Sequence, residues 1–539
     1  MNPKLQLFNA QNGEPSARVI RSNGQVLHLH SAVNPRTERS VFESLDLWGD
    51  TIVLLGCGLG YHLYNAFGHA VDAGHVIAVD FFSEMVHALK IGKCAAGIDI
   101  ISSQSSRDER RAIALALSKR PGSVQIIRHP PSYAVDPAWY DGVLADLELS
   151  STGSIPTINA IKKALVFVGN FFCEKECVSA LHALGIEPVV FRYNDQHFGF
   201  EYESHLQRCI EQDRPDFILS INMKGFDCHG VLRRVVQRKG LPLAVWFVDD
   251  PHPIIVGQEQ NVWSQCAAFC WERSYLDYLK QAGFGIVQWL PLASDPAIFN
   301  NNAARTQDIR LSFVGTPSLT HAVRRRFLWS PALEPVIMAC AQLLLCNAVL
   351  PPAEILKTVL RNQKVKLPFT DAKNITWLIA CFIHQATAYR RQSVLQHLLT
   401  FDIEFFGDPA GWRQLFGNAI AVHPDLDYWH DLAAVYGRSA ITINSTSCQM
   451  ASAVNQRVFD APLCGSFVLS DKQADMSRLF DLSTEAICYE SADDLKEKIR
   501  YYSENDSPRH AVIEAAQKRI LGEHTYLHRI ALLLKSLQR

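Results

Sequence analysis

The chain has 539 residues, of which 48% are hydrophobic and 20% charged, the composition of folded domains rather than of a disordered acidic chain. Fifty-two Lys and Arg against 54 Asp and Glu leave a net charge of −2, without the basic excess of a dedicated nucleic-acid binder. At ~150 residues per domain the length gives about 3.6, a prior of three domains, each large enough to fold without disulfides or structural metals.

The 14 cysteines contain no CxxC pair, the closest spacings being Cys173/Cys177 and Cys266/Cys270. Several others, such as Cys340, Cys346 and Cys381, lie in apolar runs, so neither a zinc site nor a redox pair is expected and a reducing compartment is. The first residues lack the apolar core of a signal peptide. The most membrane-like stretch, 336–350, is interrupted by Gln342 and Asn347 and bracketed by prolines 331, 335, 351 and 352. It is shorter than the ~20 residues that span a bilayer and reads as a buried helix. A cytoplasmic protein with no membrane span is expected.

In chain order, residues 17–30 alternate apolar and polar around Asn23-Gly24, a hairpin signal. A βα series follows: strands at 51–55, 75–79, 99–102 and 123–127, with helices at 83–90 and 108–118. Small residues and Pro/Gly at 150–158 mark a linker. A second series places strands at 164–168, 188–192, 217–221, 244–248, 267–271 and 286–290, with helices at 174–183, 229–239 and 274–282. The polar stretch 294–302 suits a domain crossover. A third series has strands at 309–314, 403–406, 419–422, 440–443, 466–469 and 486–489, and a closing helix at 527–537. It is broken after its first strand by a helical insertion over 324–400. Strands alternating with helices give an α/β fold, three doubly wound Rossmann-like units in series. The expected domains are 1–150, 160–300 and 301–539. Ligands in such sheets bind at the carboxyl ends of strands.

From about residue 160 onward the chain resembles the CgeB-like glycosyltransferases. The resemblance is carried by WFVDDP (246–251), FVG (313–315) followed by Arg324–Arg326, AITINST (440–446), NQRVFDAPLCGSFVLSD (455–471), ICYESADDLKEKIRYY (487–502) and HTYLHR (524–529). It implies a GT-B pair of facing Rossmann-like domains. The first takes the acceptor, a protein or surface glycan, and the second binds a nucleotide-sugar donor. Such enzymes need no cofactor and typically use protein charges instead of a metal.

The residues can be read on their own chemistry. Gly315 ends a strand and lets a ligand approach the backbone. Asn444, Ser445, Thr446 and Ser447 end another and offer hydroxyls plus a helix N-terminus to a phosphate, or else simply cap that helix. Arg457 would neutralise the leaving diphosphate. Asp460, three residues on along the same helix, stands where related transferases carry a ribose-binding Glu, and is one methylene shorter. Asp249, Asp250 and His252 follow a buried strand and are the candidate catalytic bases, or alternatively a turn and cap.

The N-terminal segment TIVLLGCGLGYH (51–62) with VIAVD (76–80) resembles the first two strands of a class I methyltransferase. In that resemblance Gly56, Gly58 and Gly60 admit S-adenosylmethionine and Asp80 holds its ribose. The acidic site expected near 98–105 and a catalytic motif near 126–133 are missing, so a degenerate scaffold is expected there. Two other function classes remain open on the sequence: a methyltransferase with a glycan-recognition module, and a non-catalytic assembly protein docking through the 324–400 insertion.

Overall fold

The computed structural model describes residues 3–21, 25–38, 50–61, 75–88, 98–118, 124–147, 160–193, 200–226, 232–233, 236, 239–256, 263–300, 306–346 and 350–538. These fall into two compact units. The first comprises 1–156, 191–216 and 225–242, and the second 157–190, 217–224 and 243–539. The predicted Asn23-Gly24 turn, the 150–158 linker and most of the 229–239 helix lie outside the described residues.

In the first unit β1 (Lys4–Asn9), β2 (Pro15–Ile20) and β3 (Val26–His28) form an antiparallel sheet. The β2–β3 pairing, Arg18 opposite His28 and Ile20 opposite Val26, is that of the predicted hairpin. β1 was not foreseen. Next come β4 (Thr51–Leu55), β5 (His75–Val79), β6 (Ile98–Ile101) and β7 (Val124–Arg128), a parallel sheet in the order β6-β5-β4-β7. β4 and β5 are buried along their whole length, which is why both read as near-continuous apolar runs. The outer strand β7 is covered by the helix Phe200–Asp213: Gln207 bonds both the N–H and the C=O of Ile126, and Gln125 Nε2 donates to Ser204 Oγ at 2.8 Å. Covering an edge in this way removes a pairing surface.

The second unit holds two six-stranded parallel sheets. β8 (Lys163–Val168), β9 (Glu187–Arg192), β10 (Phe217–Ile221), β11 (Leu243–Phe247), β12 (Cys266–Cys270) and β13 (Ile286–Trp289) take the order β13-β12-β11-β10-β8-β9. β14 (Ile309–Val314), β15 (Ile403–Phe406), β16 (Ala421–His423), β17 (Ser439–Asn444), β18 (Phe467–Asp471) and β19 (Ile487–Tyr489) take the order β16-β15-β14-β17-β18-β19. That is the 3-2-1-4-5-6 Rossmann order, and its strand order reverses between β14 and β17. Most strands start and end within a residue or two of the predicted bounds.

Between β14 and β15 the insertion folds as helices Glu334–Cys346, Pro352–Gln363 and Ala372–Leu395, with a core of its own around Ile337, Ile355, Leu378 and Phe382. The closing helix, Tyr526–Leu537, returns to the first sheet of the unit. Arg529 donates to the carbonyls of Pro291 and Leu292, and Ser536 Oγ to Gln288 Oε1. Its amphipathic pattern showed that one face is buried but not against what.

Candidate functional site

β11 carries the first set of predicted residues. Its last residues are wholly buried, and the chain leaves the sheet through Asp249 and Asp250 into a one-turn helix, Pro251–Ile255. Pro251 at the first helical position has no N–H to satisfy, and the Asp250 carboxylate accepts the His252 N–H at 2.9 Å, so the sequence DDPH is a helix start. The same Asp250 oxygen lies 2.7 Å from His252 Nδ1. His252 stacks on Tyr278 with ring centroids 3.8 Å apart and meets Tyr275 edge-on. The imidazole is thereby held by a carboxylate on one nitrogen and by aromatic rings on its flanks, with Nε2 not engaged by Asp250.

Asp249 turns the other way. Asn222 Nδ2 donates to its Oδ2 at 2.8 Å, while Asn222 Oδ1 accepts the Val248 N–H. Burial raises the Asp249 carboxyl to about 6, opposed by hydrogen bonds from Gln449 and Asn222.

At the reversal point of the second sheet, Gly315 has φ of 139°, a backbone conformation other residues rarely adopt. Its carbonyl accepts Trp412 Nε1–H at 2.9 Å. Arg457, first residue of the helix Arg457–Leu463, donates to Val314 O and Asn444 Oδ1, tying the ends of β14 and β17 together. Asn444 also donates to Ser470 Oγ at 2.9 Å, and Thr446 gives both its N–H and its hydroxyl to Asp471 Oδ1. Ser445 is fully buried beside them. Arg391 of the insertion arrives at the same place, donating to Thr316 O and lying over the Phe313 ring that Arg457 also covers. Desolvation and the charge of Arg457 pull Arg391 down to about 10. Two guanidiniums held close together favour an anion between or beside them.

Asp460 lies elsewhere on that helix's surroundings. It is 1% exposed, accepts from Ser294 Oγ at 2.6 Å and Gln456 Nε2 at 3.1 Å, and receives the Tyr428 hydroxyl at 3.4 Å. Burial raises its carboxyl well above the usual range, and the charge of Glu176 adds to this.

The two sheets enclose a cavity of about 920 Å³. One wall brings Asp250 and His252. The other brings Asp471, Lys472 and Glu490 from the second sheet, and the insertion adds Arg390 and a set of apolar side chains. Arg457 and Asp460 are not among its lining residues. Sequence reasoning missed Arg390 and Asp471 as site residues. The signal for the first was an Arg390-Arg391 pair in an otherwise apolar helix pattern. Asp471 was visible only as the polar end of a buried strand.

In the first unit Gly56, Gly58 and Gly60 all have positive φ. Their loop closes on its own chain. Asp80 Oδ2 accepts the N–H groups of Cys57 and Gly58 at 2.7 and 2.9 Å, Oδ1 that of Phe82 at 3.1 Å, and His30 Nε2 that of Leu59 at 2.7 Å. A Cβ on Gly58 would lie 2.3 Å from His30 Nε2, and one on Gly56 2.4 Å from Ser132 Cβ. The close approaches that Gly56 and Gly58 allow are thus to protein atoms. Asp80 is 1% exposed with both oxygens engaged, so these residues do not fit S-adenosylmethionine, whose ribose needs that carboxylate.

Among the described residues one group has metal-ligand spacing, His30, Glu38 and His129, whose candidate ligand atoms lie within 4.8 Å of one another. His30 Nδ1 is 2.6 Å from Glu38 Oε2. Ligation through Nδ1 would put the ring proton on Nε2, facing the Leu59 N–H, so the hydrogen bonds present compete with a cation there.

Residues 390–535 match a family model described as glycosyl transferase-like. The match runs from Arg390 through β15–β19 into the closing helix. No curated protein matches the chain. Among solved structures it is similar to a sucrose-phosphate synthase from Thermosynechococcus elongatus, at 10% identity and TM-score 0.40 over 70% of this chain and 99% of that one. It is similar to Anabaena HepE in complex with UDP-glucose, at 11% identity and TM-score 0.39 over 69% and 99%. It is similar to T4 phage BGT in complex with UDP and Mn2+, at 8% identity and TM-score 0.36 over 70% and 100%. Likenesses this distant say nothing about activity.

Proposed function

We propose that the chain is a glycosyltransferase of the CgeB-like type, a GT-B enzyme that moves a sugar from a nucleotide-sugar to an acceptor hydroxyl. The observation that carries this reading is the cavity that the Asp250–His252 pair of the first sheet shares with Arg390 of the insertion and Asp471 of the second sheet. The glycosyl transferase-like match over 390–535 supports it independently.

His252 Nε2 takes the proton of the acceptor hydroxyl as that oxygen bonds to the anomeric carbon. Asp250 keeps the proton on Nδ1 and stabilises the imidazolium that forms, the arrangement of a base with its orienting carboxylate. The bond from the anomeric carbon to the diphosphate oxygen breaks and the electron pair leaves with the diphosphate. Arg390, with Arg391 and Arg457 behind it, meets that charge. In this reading protein cations do the work of a divalent metal. Gly315 and Asn444–Thr446 shape the phosphate end of the donor site, and Asp460 fixes the crossover segment through Ser294. The acceptor is a protein or surface glycan, and the enzyme is cytoplasmic. The first unit, methyltransferase-like in outline, is a scaffold with no part in the transfer.

A thermal-shift panel of nucleoside diphosphates, nucleotide-sugars and S-adenosylmethionine, followed by donor turnover of His252→Ala, tests the proposal. Stabilisation by a nucleotide ligand is expected, with turnover falling about 10²- to 10⁴-fold in the variant. Stabilisation by S-adenosylmethionine alone, or undiminished turnover, refutes it.

A further inference from the structure

The insertion between β14 and β15 builds much of one wall of the cavity, and that wall has two chemically distinct ends. Thr376, Ile379, Ile383, Arg390 and Val394 all line the cavity from the helix Ala372–Leu395. Their spacing of three, four and seven residues keeps them on one stripe of the helix. Ile379 and Arg390 are eleven residues apart, about 16 Å along the axis at ~1.5 Å per residue. The Arg390 end faces Asp471, Lys472 and Glu490, while the far end is continued by Leu344, Leu350, Pro351 and Pro352.

Of the insertion residues that line the cavity, only Thr376 and Arg390 carry polar side chains. Two nearby polar rings are already engaged: the Tyr275 hydroxyl donates to Gln449 O at 2.7 Å and Tyr278 stacks on His252. A wholly hydrated sugar laid against Leu344, Leu350 and Ile379 would give up hydrogen bonds to water and receive none from those side chains. An alkyl or aryl group loses nothing there and gains from leaving water. Leu350 is 41% exposed, so this end of the wall reaches the cavity's edge.

We propose that the acceptor is amphipathic: its reacting hydroxyl sits at the Asp250–His252 pair and is borne on an alkyl or aryl body that packs on the insertion wall. This rests on the sugar-transfer reading above and names the acceptor class of that same site. The donor takes the Arg390 end, and the apolar body lies towards Leu344, Leu350 and Ile379.

The test is calorimetric titration of the full chain with methyl, butyl, octyl and phenyl β-glucosides, each below its micelle concentration, alongside a panel of nucleoside diphosphates. Affinity is expected to rise from methyl to octyl by up to about fourfold per methylene, and by at least about tenfold over the series. The octyl and phenyl arms separate a lipid-like from an aromatic body. Ile379→Asp and Leu350→Asp should each flatten the series. Leu350 is exposed enough to accept a charge without misfolding, which keeps the result interpretable. A flat series in the wild type, with a nucleotide bound through Arg390, overturns this inference alone. A gain with chain length that survives both substitutions also overturns it. A chain-length gain with no nucleotide bound overturns the sugar-transfer reading and the acceptor assignment with it.

Discussion

Asp249 makes the sharpest prediction, because burial moves its carboxyl in the direction opposite to that of a salt-bridged surface carboxylate. Burial raises its carboxyl from 3.8 to about 6. The folded chain therefore holds a proton on Asp249 that the unfolded chain has already released between about pH 4 and pH 6. Stability contributed by this group is whole below about pH 4 and is lost as the pH rises to about 6. A displacement of about two pH units at ~1.4 kcal/mol each puts the cost at about 3 kcal/mol above pH 6.

Asp249→Asn removes the titration while keeping the shape and an oxygen for Asn222 Nδ2. Rearranged hydrogen bonds to Asn222 and Gln449 add a difference of their own, but that part does not depend on pH. The informative quantity is therefore the slope of the variant-minus-wild-type stability. It should rise by about 3 kcal/mol from pH 4 to pH 7 in favour of the variant. Urea unfolding followed by tryptophan fluorescence measures it: of the ten tryptophans only Trp48 and Trp139 fall outside the second unit, so the signal reports the unit that holds Asp249. Parallel stability curves for the two proteins across that range would refute the reading of Asp249 as a partly buried acid whose charge is desolvated.

Four further outcomes follow from the geometry. Asp250→Asn should lower turnover with little change in donor binding, because it leaves His252 in place but removes the carboxylate beside its Nδ1, and a pH–rate profile altered on its acidic limb, where a general base is lost to protonation, would identify the defect. Arg390→Ala should weaken nucleoside diphosphate binding about tenfold or more, the loss of one charge-assisted contact, as read by titration calorimetry. Glu272 is buried and accepts from Ser452 N–H and hydroxyl, Ala453 N–H and Ser274 N–H, joining the loops after β12 and β17. Glu272→Ala orphans those donors and should cost about 3–5 kcal/mol in denaturant unfolding. Asp80→Ala strips the acceptor from three loop N–H groups and should destabilise the first unit by about 3 kcal/mol or more, seen as faster hydrogen exchange in β4 and β5.

The sheets were legible in the sequence because parallel strands buried on both faces must be continuous apolar runs, and here about half of them end in or run into Gly, Asn or Asp. TIVLL, FILSI and LSFV declare themselves for that reason. β1 did not, since KLQLFN is mostly exposed and its alternation resembles any polar segment. Spacing along one helix located Arg457 and Asp460 on neighbouring turns but not their partners. Those come from Val314, Asn444, Ser294 and Tyr428, on other elements. The glycine loop misled in an instructive way. A run of glycines followed by an acidic strand end is required wherever a backbone is approached closely, and in this chain His30, Ser132 and Asp80 make the approach.

The near-neutral net charge hides the most useful asymmetry. Residues 320–400 carry ten Lys and Arg against three Asp and Glu, so the remainder of the chain is correspondingly acidic. A net-charge argument can exclude a uniformly basic protein, yet it is blind to an insertion that concentrates cations where two sheets meet. Arg390 and Arg391 belong to that excess, and the fold turns them inward to the cavity edge and the end of β14 rather than out to solvent. The same helix presents Ile379 and Ile383 to the cavity, so one insertion sets cations and apolar surface side by side, which on the proposed reading serve donor and acceptor respectively. Changing Arg390 should therefore alter donor affinity, and changing Ile379 acceptor choice, with neither substitution carrying over to the other.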